Sequence, residues 1–149
     1  MKPSPPQMAH LMASPDDVEA QFYEALREAD IDKLMALWAD DDQVFCVHPG
    51  GPRLVGPQAI RLAFEAMFGN GRINAQPERV RRLHTLDAAV HNLVERIQLH
   101  TNEGPRTGFV LATNVYLKTA LGWRMVAHHA SPGTPNETPE IVETPAVLH

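Results

Sequence analysis

The segment from Trp38 to Gly56, WADDDQVFCVHPGGPRLVG, constrains the fold more than any other part of this chain. It starts at the acidic end of a helix and continues through alternating residues typical of a short strand. The PGGP sequence at residues 49–52 is a strong turn signal, and a brief second strand follows at residues 53–55. Pro57 is then suited to the first turn of another helix. The segment therefore predicts a hairpin placed between two helices.

Apolar residues recur at helical spacing on both sides of this hairpin and at a spacing of two after residue 72. Ser14 or Asp16 is positioned to cap a first helix, a second short helix starts at Asp30, and the third ends at residues 69–71, GNG. Alternation predicts long strands at about residues 73–85, 88–100, 107–118 and 122–131. Consecutive hairpins imply an antiparallel sheet curled around the three helices, which is an α+β fold.

Length and composition indicate one folded domain. The 149 residues are 44% hydrophobic, which suits a substantial core, and we expect a flexible arm at 1–15, one domain at 16–132 and an extended tail at 133–149. The formal net charge is −5, so nucleic acid is not an expected partner. The short basic run of Arg79, Arg81 and Arg82 reads as an ion-pairing face of a strand.

The chain lacks signals for secretion, membrane insertion or a compact metal site. No apolar stretch approaches a membrane span and the first residues lack a signal-peptide core, so a cytoplasmic location is expected. Cys46 is the only cysteine, lies in an apolar strand and is interpreted as a buried thiol. The histidines have no metal-ligand spacing, and neither a metal nor a cofactor is expected. A dispersed site of His48, Glu95 and His129 is the alternative.

Strand parity identifies a first candidate for acid–base chemistry. Glu95 shares one strand face with Leu93 and Ile97, and burial among apolar groups raises the pKa of a carboxyl. Glu95 is therefore a candidate general acid or base. The alternative is an ion pair with Arg81 or Arg82 on a neighbouring strand.

The hairpin segment, together with the closing strand GWRMVAHHASP at residues 122–132, resembles the nuclear transport factor 2-like superfamily. This superfamily includes ketosteroid isomerases and SnoaL-like polyketide cyclases, and its cone-shaped fold surrounds a pocket. The sequence HPGG at residues 48–51 is similar to the motif that carries the catalytic aspartate of ketosteroid isomerases. The resemblance places His48 at the general-base position, although imidazole replaces carboxylate. A histidine that caps the turn is the alternative.

The resemblance also implies residues that would contact a ligand. One of His128 and His129 is expected to face the pocket and the other an interface, and His129 is the candidate ligand-binding residue. Asn114 and Tyr116 share one face of the preceding strand and are further candidates, as is Trp38, for which a core position is the alternative. The resemblance further implies a homodimer through the outer face of the sheet.

Two functions follow as hypotheses. The first is binding of a small, largely apolar molecule in the cone, with isomerase or cyclase chemistry carried by His48 and Glu95. The second is a non-catalytic binding or association module, because the fold is similar to that of the association domain of calmodulin-dependent kinase, which assembles rings. Dehydratase or hydrolase activity ranks third, since no aspartate occupies a clear inward position beside a histidine.

Overall fold

Three helices and a six-stranded sheet make up the part of the chain that the structure describes. The computed structural model describes residues 12–137 and 139–143. The helices are α1 (Pro15–Glu28), α2 (Ile31–Ala36) and α3 (Pro57–Phe68), and the strands are β1 (Phe45–Val47), β2 (Arg53–Val55), β3 (Asn74–His84), β4 (Ala88–Thr101), β5 (Gly104–Thr119) and β6 (Gly122–Ala130).

The predicted helix starts are confirmed in atomic detail. The Ser14 side chain accepts a hydrogen bond from the Asp17 amide at 3.1 Å, which caps α1. Asp30 caps α2 in the same way, through the Lys33 amide at 3.0 Å. Ala29, between the two helices, has a φ of 53° in the left-handed region, which turns the chain sharply.

The sheet has the strand order β2-β1-β6-β5-β4-β3. All neighbouring strands are antiparallel except β1 and β6, which pair in parallel. The predicted meander consists of β3 to β6. The parallel pair places β1, which ends just before His48, beside β6. The fold is thus the predicted α+β cone, with a mostly antiparallel curved sheet.

The inner face of the sheet packs against the helices and forms the core. Phe22 of α1 and Phe64 of α3 meet edge to face with ring centroids 6.2 Å apart. Side chains from the inner positions of β4, β5 and β6, such as Leu93, Tyr116 and Met125, complete the same buried cluster. The helices therefore close the concave side of the sheet.

Two β-bulges change which side chains face inward. On β6 the register shifts opposite Val115 and Tyr116, so that Val126 has no Cα partner on β5. On β3 the register shifts between Glu78 and Arg81. A bulge inserts one extra residue and reverses the alternation that follows it, and the two bulges affect the direction of His128 and of Arg79.

After β6 the chain continues along the edge of β5. Thr134 exchanges two backbone hydrogen bonds with Phe109, at 2.9 and 3.0 Å. Most of the predicted arm at 1–15 and the end of the predicted tail, 144–149, lie outside the described residues. No helix in the described ranges combines the length and the hydropathy that crossing a membrane requires.

Candidate functional site

A chain of four buried polar side chains crosses the interior of the cone. The Tyr23 hydroxyl of α1 donates to Glu95 Oε2 of β4 at 2.8 Å. Asn114 Nδ2 of β5 donates to the same hydroxyl at 3.1 Å, and Asn114 Oδ1 lies 2.5 Å from His128 Nδ1 of β6. None of the four residues is more than 6% exposed. Three strands and one helix therefore contribute to one hydrogen-bonded network.

The direction of each hydrogen bond in this network follows from the direction of its neighbour. Because Asn114 uses its amide nitrogen toward Tyr23, its oxygen must accept from His128, which places a proton on His128 Nδ1. Nε2 of a neutral His128 then carries a lone pair. The Tyr23 hydroxyl, which accepts from Asn114, is free to donate to the carboxylate of Glu95.

Burial shifts the acid–base properties of Glu95 and His128 in opposite directions. Desolvation raises the pKa of Glu95 from 4.5 to about 7, although the hydrogen bond from Tyr23 lowers it in part. Desolvation, assisted by the nearby imidazoles of His48 and His129, lowers the pKa of His128 to about 3. Near neutral pH the network therefore holds a neutral imidazole and a carboxyl that is divided between its two protonation states.

His48 lies beside the network, at the end of β1. Its ring centroid is 6.3 Å from that of His128, and it meets Phe64 edge to face at 4.8 Å. Partial burial lowers the pKa of His48, which favours the neutral imidazole that a general base requires. Cys46 Sγ lies 3.8 Å from His48 Nε2, and burial raises the pKa of this thiol to about 12. Cys46 is thus a buried, protonated thiol.

The inward histidine of the closing strand is His128, whereas His129 is exposed. Strict alternation groups His129 with Trp123 and Met125, both of which are buried. The bulge at Val126 reverses this alternation, so that the residues after it face inward at even numbers. The structure therefore brings together His48, Glu95 and Asn114 of the predicted site residues, and it leaves His129 outside.

The two remaining ligand-binding candidates are buried aromatic residues. Trp38 is 4% exposed and belongs to the core cluster, as its alternative interpretation had it. Tyr116 is fully buried on the inner face of β5. The indole nitrogen of Trp38 has no hydrogen-bond partner among the described residues, and the hydroxyl of Tyr116 makes no hydrogen bond of normal geometry there, although the side chain of Asn114 lies near enough to lower its pKa in part. A buried donor without a partner is costly, which makes the Tyr116 hydroxyl a candidate donor to a ligand oxygen.

Sequence reasoning did not select Tyr23, which lies inside the network, and it named His128 only as one of two histidines of which one was expected to face the pocket. Tyr23 follows Phe22 in the apolar stripe of α1 and could have been read as one more core residue. The alternative interpretation of Glu95 as an ion pair does not apply, since Arg81 pairs with Glu140 and Arg82 with Asp16.

A second polar cluster lies near the start of α1. His91 Nδ1 is 3.0 Å from Glu19 Oε1, both residues are buried, and the His91 ring meets Tyr116 at a centroid distance of 5.0 Å. Ligand atoms of Asp16, Glu19 and His91 lie within 4.8 Å of one another, a spacing that could hold a metal ion. Arg82 already donates to Asp16 at 2.8 Å, however, and provides the positive charge at this position.

Comparison with known proteins places this geometry in a family. The SnoaL-like domain family matches residues 16–135. A candidate calcium/calmodulin-dependent protein kinase type II association domain from Thiobacillus denitrificans is 38% identical, with 81% of this chain and 96% of that chain covered and a TM-score of 0.74. A candidate dehydratase of the NTF2-like family from Streptomyces avermitilis is 30% identical, with 77% and 91% covered and a TM-score of 0.68.

A more distant structure shares the fold alone. The CaMKII hub of S. rosetta is 24% identical, with 82% of this chain and 98% of that chain covered and a TM-score of 0.65. No curated protein matches the sequence. The family match, the two structures of 30% identity or more and the cone fold agree, and this chain belongs to the SnoaL-like domain family of the NTF2-like superfamily.

Proposed function

We propose that the cone binds a small, largely apolar molecule bearing a carbonyl group and transfers a proton on it. The observation that carries this proposal is the buried chain from Glu95 through Tyr23 and Asn114 to His128, with the neutral His48 beside it. A polar network buried among phenyl and aliphatic groups fits a ligand that is apolar over most of its surface. No metal or cofactor is needed for this chemistry, and the protein would act in the cytoplasm.

Each group has a role that its environment supports. His48 would accept a proton from the carbon next to the carbonyl, since partial burial keeps its imidazole neutral. Negative charge would then develop on the carbonyl oxygen, where hydrogen-bond donors stabilise it. The protonated form of Glu95 and the hydroxyl of Tyr116 are the donors available to that oxygen. Asn114 and Tyr23 would hold Glu95 and His128 in position.

Proton transfer can be tested without knowing the natural substrate. A thermal-shift screen of steroids, polyketide fragments and aromatic acids would identify ligands, because a ligand at 100 times its dissociation constant stabilises the native state by about 2.7 kcal/mol. Carbonyl-bearing hits would then be incubated in D₂O, and loss of the α-proton would be followed by NMR. We expect exchange to fall at least about 100-fold in His48→Gln, the range of general-base catalysis. His129→Gln, an exposed histidine, is the matched control. Equal exchange in wild type and His48→Gln would refute the proposal.

A second candidate function is self-association through the outer face of the sheet, as a homodimer or a larger ring. Leu83 and Leu117 lie at outward positions of β3 and β5 and are 74% and 42% exposed. The 38% identical structure is described as a candidate association domain, which favours assembly. Exposed apolar side chains grouped on one face are typical of interaction surfaces.

Light scattering after size exclusion would test the association. We expect an oligomer for wild type and dissociation in a Leu83→Glu, Leu117→Glu double variant. Leu62→Glu on α3, where the leucine is 57% exposed, is the control for an added surface charge. A monomeric wild type over the whole concentration range would count against this function and would leave the proton-transfer proposal untouched.

A further inference from the structure

The outer face of the sheet carries a cavity of ≈ 210 Å³ that is distinct from the polar network inside the cone. Arg79 and Arg81 of β3 line one side of it, and Val94 and Leu111 of the next two strands form part of its floor. Glu140 of the tail lies at the cavity, against the two arginines. The cavity thus has a cationic wall and an apolar floor.

The carboxylate of Glu140 pairs with both arginines. Glu140 Oε1 accepts from Arg81 Nε at 3.0 Å and from Arg81 Nη2 at 2.8 Å, and Glu140 Oε2 accepts from Arg79 Nη2. Arg81 thus places two donors on one carboxylate oxygen and Arg79 places one donor on the other, so that all three hydrogen bonds are charge-assisted. The two arginines therefore already hold a carboxylate, that of Glu140.

The backbone of β3 is distorted where it presents these arginines. Arg79 has a φ of 52°, a left-handed conformation that is rare for residues other than glycine, asparagine and aspartate. It lies in the β3 bulge, where the register shifts between Glu78 and Arg81. Strained backbone conformations are often found at binding sites. A glycine at position 79 would adopt this φ more easily, but it would lack the guanidinium group that pairs with Glu140.

The apolar floor would accommodate the remainder of a ligand. Val94 is only 7% exposed although it lies outside the main core cluster, on the face opposite to Glu95. Asn92, which also lines the cavity, has its amide group held by Thr113 Oγ1 at 2.9 Å. The floor therefore belongs to the sheet, whereas Pro139, Glu140 and Ile141 of the tail line the cavity from the other side.

The contact of Glu140 is easily broken. The side chains of Arg79, Arg81 and Glu140 are 42%, 64% and 37% exposed, and ion pairs between exposed groups contribute little to stability. The tail has a separate anchor at Thr134, which pairs with Phe109 through backbone hydrogen bonds. Glu140 can therefore leave the arginines while the start of the tail keeps its position.

We propose that this cavity binds a small apolar carboxylic acid, whose carboxylate replaces that of Glu140 between Arg79 and Arg81. Glu140 acts as a tethered competitor that covers the site when no ligand is present. The apolar part of the ligand lies over Val94 and Leu111. This site is separate from the cone, but it shares the outer face of the sheet with Leu83, so ligand binding here requires that self-association leaves this part of the face uncovered.

Calorimetric titration of the full chain with phenylacetate would test the proposal. We expect Glu140→Gln to bind about five- to tenfold more tightly than wild type, because the competing carboxylate is gone. Arg81→Gln should bind at least about tenfold more weakly, since it loses the two charged donors of Arg81. Arg106→Gln is the matched control, because Arg106 is an exposed arginine that also pairs with a glutamate, Glu103.

Two further ligands separate charge from shape. Phenylacetamide has the same apolar group without the charge and should not bind, and acetate lacks the apolar group and should bind more weakly than phenylacetate.

Unchanged or weaker binding in Glu140→Gln would overturn the proposal, as would equal loss in Arg81→Gln and Arg106→Gln. If Arg81→Gln fails to fold, amide chemical shifts of the wild type decide the question: phenylacetate must perturb β3 and the tail, and perturbations confined to the cone would refute the site.

Discussion

The Tyr23 hydroxyl and the Glu95 carboxylate lie 2.8 Å apart, although 72 residues separate them in the chain. Both are almost completely removed from water. A carboxyl in such a place is stabilised when it is protonated, and a hydroxyl that donates to it stabilises the ionised form. The balance of these effects gives Glu95 a pKa of about 7, so the protonation of this carboxyl changes near neutral pH.

Glu95 should make the free energy of unfolding fall as the pH rises. The folded protein keeps the Glu95 proton up to about pH 7, whereas the unfolded chain loses it near 4.5. Unfolding between these values releases a proton, so stability decreases by about 3 kcal/mol from pH 4 to pH 8. Glu95→Gln should lose this contribution.

The measurement is urea unfolding at several pH values, compared between wild type and Glu95→Gln. The comparison is needed because His128 has the opposite effect on the free energy of unfolding. Its pKa is about 3 in the folded protein and near 6.5 in the unfolded chain, so stability rises with pH between these values. Glu103→Gln, at an exposed hairpin, is the control. Parallel pH profiles for wild type and Glu95→Gln would contradict the raised pKa.

His128 should stay neutral at pH 5 with its proton on Nδ1. Complete burial opposes the charged imidazole, and the Asn114 oxygen at 2.5 Å selects the Nδ1-protonated form. Long-range ¹H–¹⁵N correlation spectra distinguish the two tautomers and the imidazolium. Asn114→Ala should allow the Nε2-protonated tautomer to populate. An imidazolium signal for His128 in wild type at pH 5 would contradict the neutral, buried state of this side chain.

Cys46 should be inert toward thiol reagents in the folded protein. Its pKa is raised to about 12, so at pH 8 the thiolate is roughly 1,000-fold less abundant than for a free cysteine. Because the chain has one cysteine, the reaction with a chromogenic disulfide reports this thiol alone. Reaction should be fast in denaturant, and a fast reaction in native buffer would contradict the buried position.

The sequence predicted the fold well because the relevant signals are local. Helix caps, the PGGP turn and the spacing of apolar residues depend on neighbours in the chain, and Ser14 and Asp30 cap helices as expected. Parity also placed Glu95 and Asn114 on the inner face. It could not decide between His128 and His129, because the bulge at Val126 depends on how β6 pairs with β5. The alternation of residues along one strand does not predict the register in which that strand pairs with its neighbour.

Substitution of the two tyrosines should have opposite effects on stability. Tyr23→Phe leaves buried groups on Glu95 and Asn114 without a partner, which costs about 1–3 kcal/mol. Tyr116→Phe removes a buried hydroxyl that makes no hydrogen bond of normal geometry with the described residues, so the cost should be close to zero or the protein should gain up to about 1 kcal/mol. Denaturant unfolding of both variants at pH 7 measures the difference.

Tyr116 should matter for ligand affinity although it contributes little to the stability of the free protein. If its hydroxyl donates to a ligand oxygen, Tyr116→Phe should weaken binding of a carbonyl-bearing ligand about tenfold while the free protein stays as stable as wild type. Each tyrosine is the matched control for the other, since both are fully buried and the change is the same oxygen atom. A loss of stability in Tyr116→Phe equal to that in Tyr23→Phe would mean that the hydroxyl has a structural partner, and it would remove Tyr116 from the ligand site.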